Sequence, residues 1–262
     1  MLIDSHCHLD RLDLTPYERS FERFVTATRA HGIRHMLCVS ISLEAYRPML
    51  ELVENYTDIS VSVGVHPNET ECREPDADTL LTLAQHPKVV AIGETGLDYF
   101  RSEGDPAWQQ ERFRTHIRAA LACGKPLIIH TREARQDTLR ILREEGAEAV
   151  GGVLHCFTED SETARAALDL NFYISFSGII TFRNAEQIRE VARWVPSDRY
   201  LVETDSPYLA PLPHRGKPNY PYYVRQVAEC LAQVRDVSPQ QVAEETTSNY
   251  QRLFGGAGGV LL

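Results

Sequence analysis

Residues 2–10 read Leu2-Ile3-Asp4-Ser5-His6-Cys7-His8-Leu9-Asp10, a short apolar start that runs directly into two histidines flanking a cysteine. In an open, doubly wound sheet the position after the first strand often holds a glycine-rich phosphate loop. Here His-Cys-His stands there instead, which turns the reading toward a closed barrel. Histidines two residues apart on an extended strand share a face, so both can reach one ion while Cys7 points the other way. The pair alone does not separate a metal site from simple strand-end polarity, and the rest of the chain has to supply partners.

Short apolar runs recur downstream: residues 35–40, 59–65, 89–93, 126–129, 152–154, 172–176 and 200–202. Their length and β-branched content predict buried strands. Between them, apolar stripes at helical spacing predict helices over 18–30, 107–123, 134–145, 161–168, 185–194 and 222–235. Asp160-Ser161 and Ser238-Pro239 read as N-terminal caps, the second opening a last helix. Gly32, Gly124 and Gly146 fall just past helix ends. Eight strands alternating with helices over about 250 residues predict an α/β fold, a single (β/α)8 TIM-like barrel spanning residues 1–254. Residues 255–262 read as a flexible C-terminal tail.

The chain has 262 residues and a net charge of −10. That balance argues against broad clamping of duplex DNA, which relies on Lys and Arg. It leaves room for a nucleic-acid end entering a pocket where a metal supplies the positive charge. The acidic, His-rich start is unlike a signal peptide, and no run approaches about 18 apolar residues, so a cytoplasmic protein without a membrane partner is expected. Six scattered cysteines with no CxxC pair read as reduced thiols.

Polar residues follow the apolar runs in a consistent way. His6 and His8 end the first, His66 the third, Glu94 the fourth, His130 the fifth, His155 the sixth, and Glu203 and Asp205 the eighth. Parallel strands in a barrel bring all these ends to one face, where active sites are built. Five histidines and three carboxylates there suit divalent ions; imidazole favours zinc-like metals, and carboxylates also admit magnesium and manganese. Singly, each has a plainer use: His130 or His155 as a hydrogen-bonded strand end, Glu94 as a helix cap, Asp205 as an N-cap before Pro207. Jointly they mark a centre. His66 and Glu203 are expected to contact substrate or orient a ligand. Cys7 and Cys156 are expected to be packing thiols. His31, His35, His86, His116 and His214 are expected in surface or cap roles.

The segments "DSHCHLD", "GVHP", "GETGLDY", "LIIHTREA", "GVLHCFTED", "FYISFSGIITFRNA", "LVETDSPYLAP" and "HRGKPN", in this order, resemble the TatD family of metal-dependent deoxyribonucleases within the amidohydrolase superfamily. The resemblance covers residues 4 to about 254. It implies two divalent ions per subunit (Mg, Mn or Zn), with His6, His8, Glu94 and Asp205 on one, Glu94, His130 and His155 on the other, and Glu94 bridging. It implies Asp205 as general base, with Glu94 also catalytic, and a metal-activated hydroxide as attacking group. The activity implied is 3′-to-5′ exonuclease action on single-stranded DNA, extending to RNA. The alternative is an ester or amide hydrolase such as a D-aminoacyl-tRNA deacylase. A binding module that merely kept the barrel fits less well, because the ligand set is complete. Arg132, Arg215 and Lys217, with Asn219 and Arg183, are candidates for substrate phosphate. Tyr99 and Phe157 can stack on a base, though rim packing is their expected use. The stretch Pro218-Asn219-Tyr220-Pro221 departs from the family's frequent Arg-Asn-Glu-Pro, which bears on substrate choice. The oligomeric state stays open, a monomer among its options.

Overall fold

The computed structural model describes residues 1–255, so the expected tail from residue 256 onward lies outside the described residues. Eight parallel strands pair in chain order: β1 (Leu2–Cys7), β2 (Ile33–Cys38), β3 (Ile59–Val63), β4 (Val89–Asp98), β5 (Leu127–Arg132), β6 (Gly152–Leu154), β7 (Phe172–Phe176) and β8 (Tyr200–Val202). Around them, among the described residues, run nine α-helices. These are α1 (Phe21–Ala30), α2 (Leu43–Val53), α3 (Ala77–Ala84), α4 (Ala107–Cys123), α5 (Arg135–Glu144), α6 (Ser161–Asp169), α7 (Glu186–Trp194), α8 (Val224–Arg235) and α9 (Pro239–Phe254). Ser20, Ser42, Asp76, Asp160 and Ser238 each accept a backbone N–H at a helix start, offsetting one orphan donor apiece.

The strands divide their side chains between two cores with a period of two. Ile3, Leu37, Ile128, Val153, Tyr173 and Leu201 fill the smaller cluster inside the barrel, together with Tyr250 and Phe254 of α9. Their neighbours Leu2, Met36, Leu127, Leu154, Phe172 and Val202 join the larger cluster with the helices. Between β8 and β1 the barrel is joined by a short seam. The Asp205 N–H donates to the His6 carbonyl (2.9 Å) and the His8 N–H to the Ser206 carbonyl (2.8 Å). Ser5 Oγ donates to the Val202 carbonyl (2.8 Å), and the buried Asp4 carboxylate accepts from the Thr204 N–H (2.9 Å) and hydroxyl (2.5 Å).

Strict alternation would send His6 and Glu94 to the wrong side. Counting from Ile3, residue 6 should face the helices, and counting from Ile92 of the outer core, so should residue 94. Both strands carry a register shift at that point, between Asp4 and Cys7 in β1 and between Ile92 and Thr95 in β4. Each irregularity re-aims the following side chains inward, the usual use of a bulge beside a site.

Two histidines correct the sequence reading. His35 lies in β2, buried, with Nε2 2.5 Å from Ser60 Oγ. His116 lies on α4, buried; its Nδ1 bonds the Arg112 carbonyl (2.8 Å) and its Nε2 accepts the Val65 N–H (3.0 Å). Both are internal hydrogen-bonding groups that tie strands to their neighbours, a use that spacing does not reveal.

Candidate metal centre

Glu94 is the hub. Its carboxylate is buried at the inner C-terminal end of the barrel, and its two oxygens face different histidines. Oε2 lies 3.5 Å from His6 Nε2 and 3.9 Å from His8 Nε2. Oε1 lies 2.8 Å from His155 Nε2, 3.2 Å from His130 Nδ1 and 3.3 Å from His66 Nε2. Asp205 Oδ1 faces His8 Nε2 at 3.3 Å and His6 Nε2 at 3.7 Å. Ligand atoms of His6, His8 and Asp205 lie within reach of one ion, as do those of His66, Glu94 and His130, and those of His6, His155 and Glu203.

The backbone around Glu94 depends on glycine. A Cβ on Gly96 (φ +134°) would sit 2.0 Å from the His130 carbonyl oxygen, and one on Gly93 (φ +144°) 2.6 Å from that of Ile128. Only glycine lets β5 come close enough for His130 to meet Glu94.

Outer partners fix the rings. His8 Nδ1 donates to the Val39 carbonyl (3.0 Å). His130 Nε2 meets Asp98 Oδ2 (3.0 Å), and Asp98 also accepts from Asn68 Nδ2 (2.8 Å) and the Arg101 N–H (3.0 Å). His155 Nδ1 meets Glu203 Oε1 (3.2 Å), which takes the Cys156 N–H as well (2.8 Å). Such contacts set the tautomer and leave the inward nitrogen free as a donor of electrons. Asp98 was not picked out in the sequence. Its signal is there, since Glu94, Gly96 and Asp98 alternate on one strand face.

The residues fit divalent cations on the structure's own terms. Both ring nitrogens of His6 and Oε2 of Glu203 are buried without a hydrogen-bond partner. A buried polar atom left unpaired costs on the order of 1–3 kcal/mol, so several in one place call for a ligand. Mixed imidazole and carboxylate donors suit zinc, manganese or magnesium. In the metal-free protein the charges lean on one another. Burial would raise Glu94, but His155, His66 and His130 hold it well below the usual carboxylate range. Burial likewise opposes, and Glu94 with Glu203 overcome, so His155 rises well above an ordinary histidine. Burial and the His155 charge push His6 down. Burial works against Asp205, yet the His8 hydrogen bond and the His6 charge keep it lowered and ionised.

The centre opens into a pocket of about 810 Å³ at the barrel mouth. Arg132 lines it, and so do Arg11 and Arg101, which sequence reading did not single out. Arg215 and Lys217 are exposed and do not line it; the Arg215 guanidinium stacks over Phe182, 4.4 Å from the ring centre, which holds it aside. Arg183 is exposed and outside it too. Asn219 is buried, its carboxamide donating to the Thr204 and Tyr208 carbonyls (2.9 and 2.5 Å), so it shapes the loop and meets no phosphate. Tyr99 bonds Asp137 through its hydroxyl (2.8 Å), and Phe157 is buried. Burial pushes the thiols of Cys7 and Cys156 well up; Cys7 is fully buried, whereas Cys156 lines the pocket. A second cavity of about 800 Å³, by Met1, Leu2, Arg34 and α9, holds none of these groups.

A parallel eight-stranded barrel with this histidine and carboxylate centre at its open end defines a metal-dependent hydrolase. The comparisons make the assignment narrower. The chain belongs to the TatD-related DNase family, whose model matches residues 3–255. A relative from Escherichia coli (strain K12), named uncharacterized metal-dependent hydrolase YcfH, is 51% identical over 254 residues, covering 97% of this chain and 95% of its own. A relative from Klebsiella pneumoniae (strain 342), named 3′-5′ ssDNA/RNA exonuclease TatD, is 31% identical over 250 residues, covering 93% of this chain and 95% of its own. The crystal structure of YJJV, a TatD homolog from Escherichia coli K12, superposes with a TM-score of 0.86 at 27% identity, covering 98% of each chain. Among the described residues, no helix is long and apolar enough to cross a membrane.

Proposed function

We propose that this hydrolase is a 3′-to-5′ exonuclease acting on single-stranded DNA or RNA. The observation that carries this reading is the meeting of Arg11, Arg101 and Arg132 with the Glu94 cluster in one pocket. Guanidinium groups recognise phosphate oxygens, and a pocket suits an end where the acidic molecule as a whole would repel a long duplex. The Klebsiella pneumoniae relative's name points the same way.

The residues that would hold two cations are His6, His8, Glu94 and Asp205 for one, and Glu94, His130 and His155 for the other. His66 stands as near to Glu94 as His130 does. Divalent ions there supply Lewis acidity toward the phosphoryl group and make water more acidic. Asp205 accepts the proton. Its side chain is 14% exposed, against 3% for Glu94 and 1% for His6, so it is the carboxylate that pocket water reaches. The water oxygen bonds to phosphorus, the bond from phosphorus to O3′ breaks with its electron pair going to O3′, and O3′ takes up the proton that Asp205 accepted. A nucleoside 5′-monophosphate leaves and the strand is one residue shorter. Glu203 and Asp98 hold His155 and His130 in orientation throughout.

The test is a gel assay of 5′-labelled single-stranded DNA and RNA with magnesium, manganese or zinc, beside Glu94→Gln. A ladder of shortened products from the wild type, reduced at least about 1,000-fold in the variant, is the expected result. Intact strands under all three metals overturn the nuclease reading. Release of the amino acid from a D-aminoacyl-tRNA, with the RNA left whole, then identifies the alternative ester hydrolase.

A further inference from the structure

Among the described residues, four large apolar side chains stand exposed: Met1, Phe100, Tyr208 and Leu212. Tyr208 sits at the mouth of the metal pocket, and Phe100 stands behind Arg132, which lines it. Tyr208 is 49% exposed and lines the pocket, its ring centre 6.0 Å from that of His8. Phe100 is 55% exposed and carries the Arg132 guanidinium 3.8 Å over its ring, and Arg132 lines the same pocket. Phe100 follows β4 and Tyr208 follows β8. Three strands lie between these either way round the eight-stranded barrel, so the two rings come from opposite sides of its mouth.

Neither ring rides on a loose loop. The Tyr208 N–H donates to the Asp205 carbonyl (2.9 Å) and its carbonyl accepts from Asn219 Nδ2 (2.5 Å). On either side of Phe100, the Tyr99 N–H donates to the Arg132 carbonyl (3.0 Å) and the Arg101 N–H to Asp98 Oδ1 (3.0 Å). Each exposed ring is therefore anchored to a residue of the centre itself. Pinned, solvent-facing aromatic planes beside cationic groups are the equipment of single-strand binding, because every base has a stacking face. A guanidinium lying on a ring keeps its other face free for a base and its edge for phosphate.

We propose that Tyr208 and the Phe100–Arg132 stack are two base-stacking platforms that hold the unpaired bases on either side of the scissile phosphate. The inference rests on the exonuclease reading and specifies how its substrate is gripped. It makes the enzyme selective for unpaired bases and tolerant of their identity.

The experiment compares two single strands of equal length, one normal and one whose last three 3′ nucleotides lack bases, with wild type, Tyr208→Ala, Tyr208→Phe, Phe100→Ala and Leu212→Ala. Wild type should show a KM about ten-fold lower for the normal strand. Tyr208→Ala and Phe100→Ala should each erase most of that difference by raising KM on the normal strand only. Tyr208→Phe should restore it, and Leu212→Ala, outside the pocket, should leave it intact. Equal KM values for the two strands with wild type overturn the proposal while the exonuclease reading stands. So does a Tyr208→Ala effect of the same size on both strands, which marks a merely structural role. Failure of wild type to shorten either strand overturns both readings.

Discussion

His130 shows what a single residue needs in order to work. One ring nitrogen faces Glu94 at 3.2 Å and the other faces Asp98 at 3.0 Å, so the ring is held like a plate between two carboxylates. Removing the outer one should free the ring without touching the centre's own ligands. Asp98→Ala is therefore expected to weaken divalent-ion binding by about 10–100-fold in isothermal titration, while the circular dichroism spectrum stays that of wild type. Wild-type affinity in that variant would mean that Asp98 does not position the ring. The ligand candidates were legible as residues because each follows an apolar run. Asp98 was legible only as a member of the same strand face as Glu94, and the partner that gives it its use lies 32 residues away. Arg11 and Arg101 escaped notice for a similar reason: nothing local tells a pocket arginine from a surface one. The loop arginine and lysine at 215 and 217 drew attention by composition, and the fold turns them outward.

At the scale of elements, the strands were easier to read than the helices. All eight strand positions stood out as apolar runs, yet β4 continues past Glu94 to Asp98, because Thr95 and Leu97 still pack outward while Gly96 lets β5 approach. Helices α2 and α3 gave no clear stripe. Pro48 lies inside α2 and reads as a breaker, and α3 has only eight residues. The register shifts in β1 and β4 were invisible too, since they arise from pairing with neighbours. His116 gives α4 a testable pH response. Burial lowers its pKa from 6.5 to about 4, and as a neutral ring it both donates to Arg112 and accepts from Val65. Because the folded pKa is the lower one, the stabilisation is complete above pH 6.5. It falls as pH drops from 6.5 toward 4, where the unfolded chain takes up a proton that the fold refuses. The full effect is about 3 kcal/mol. Urea unfolding between pH 7 and pH 5 should show a shallower loss of stability in His116→Asn than in wild type; parallel slopes would exclude this role.

The whole molecule carries ten excess negative charges and concentrates three guanidinium groups at one opening. Binding of a single strand should then release few counterions. Three phosphate contacts predict a slope of about −2 for log kcat/KM against log salt concentration. A slope steeper than about −5 in a sodium chloride series would point to a long basic track that the pocket does not contain. The barrel itself was the most legible feature, because strand–helix alternation over the full length leaves few other architectures.

The seam between β1 and β8 has a consequence in time. The histidines at positions 6 and 8 are made about 200 residues before their carboxylate partner at 205. They meet only when Asp205 and Ser206 hydrogen-bond to the β1 end. A nascent chain thus has no finished centre until its eighth strand has been made. The topology holds the hydrolase inactive until the barrel closes.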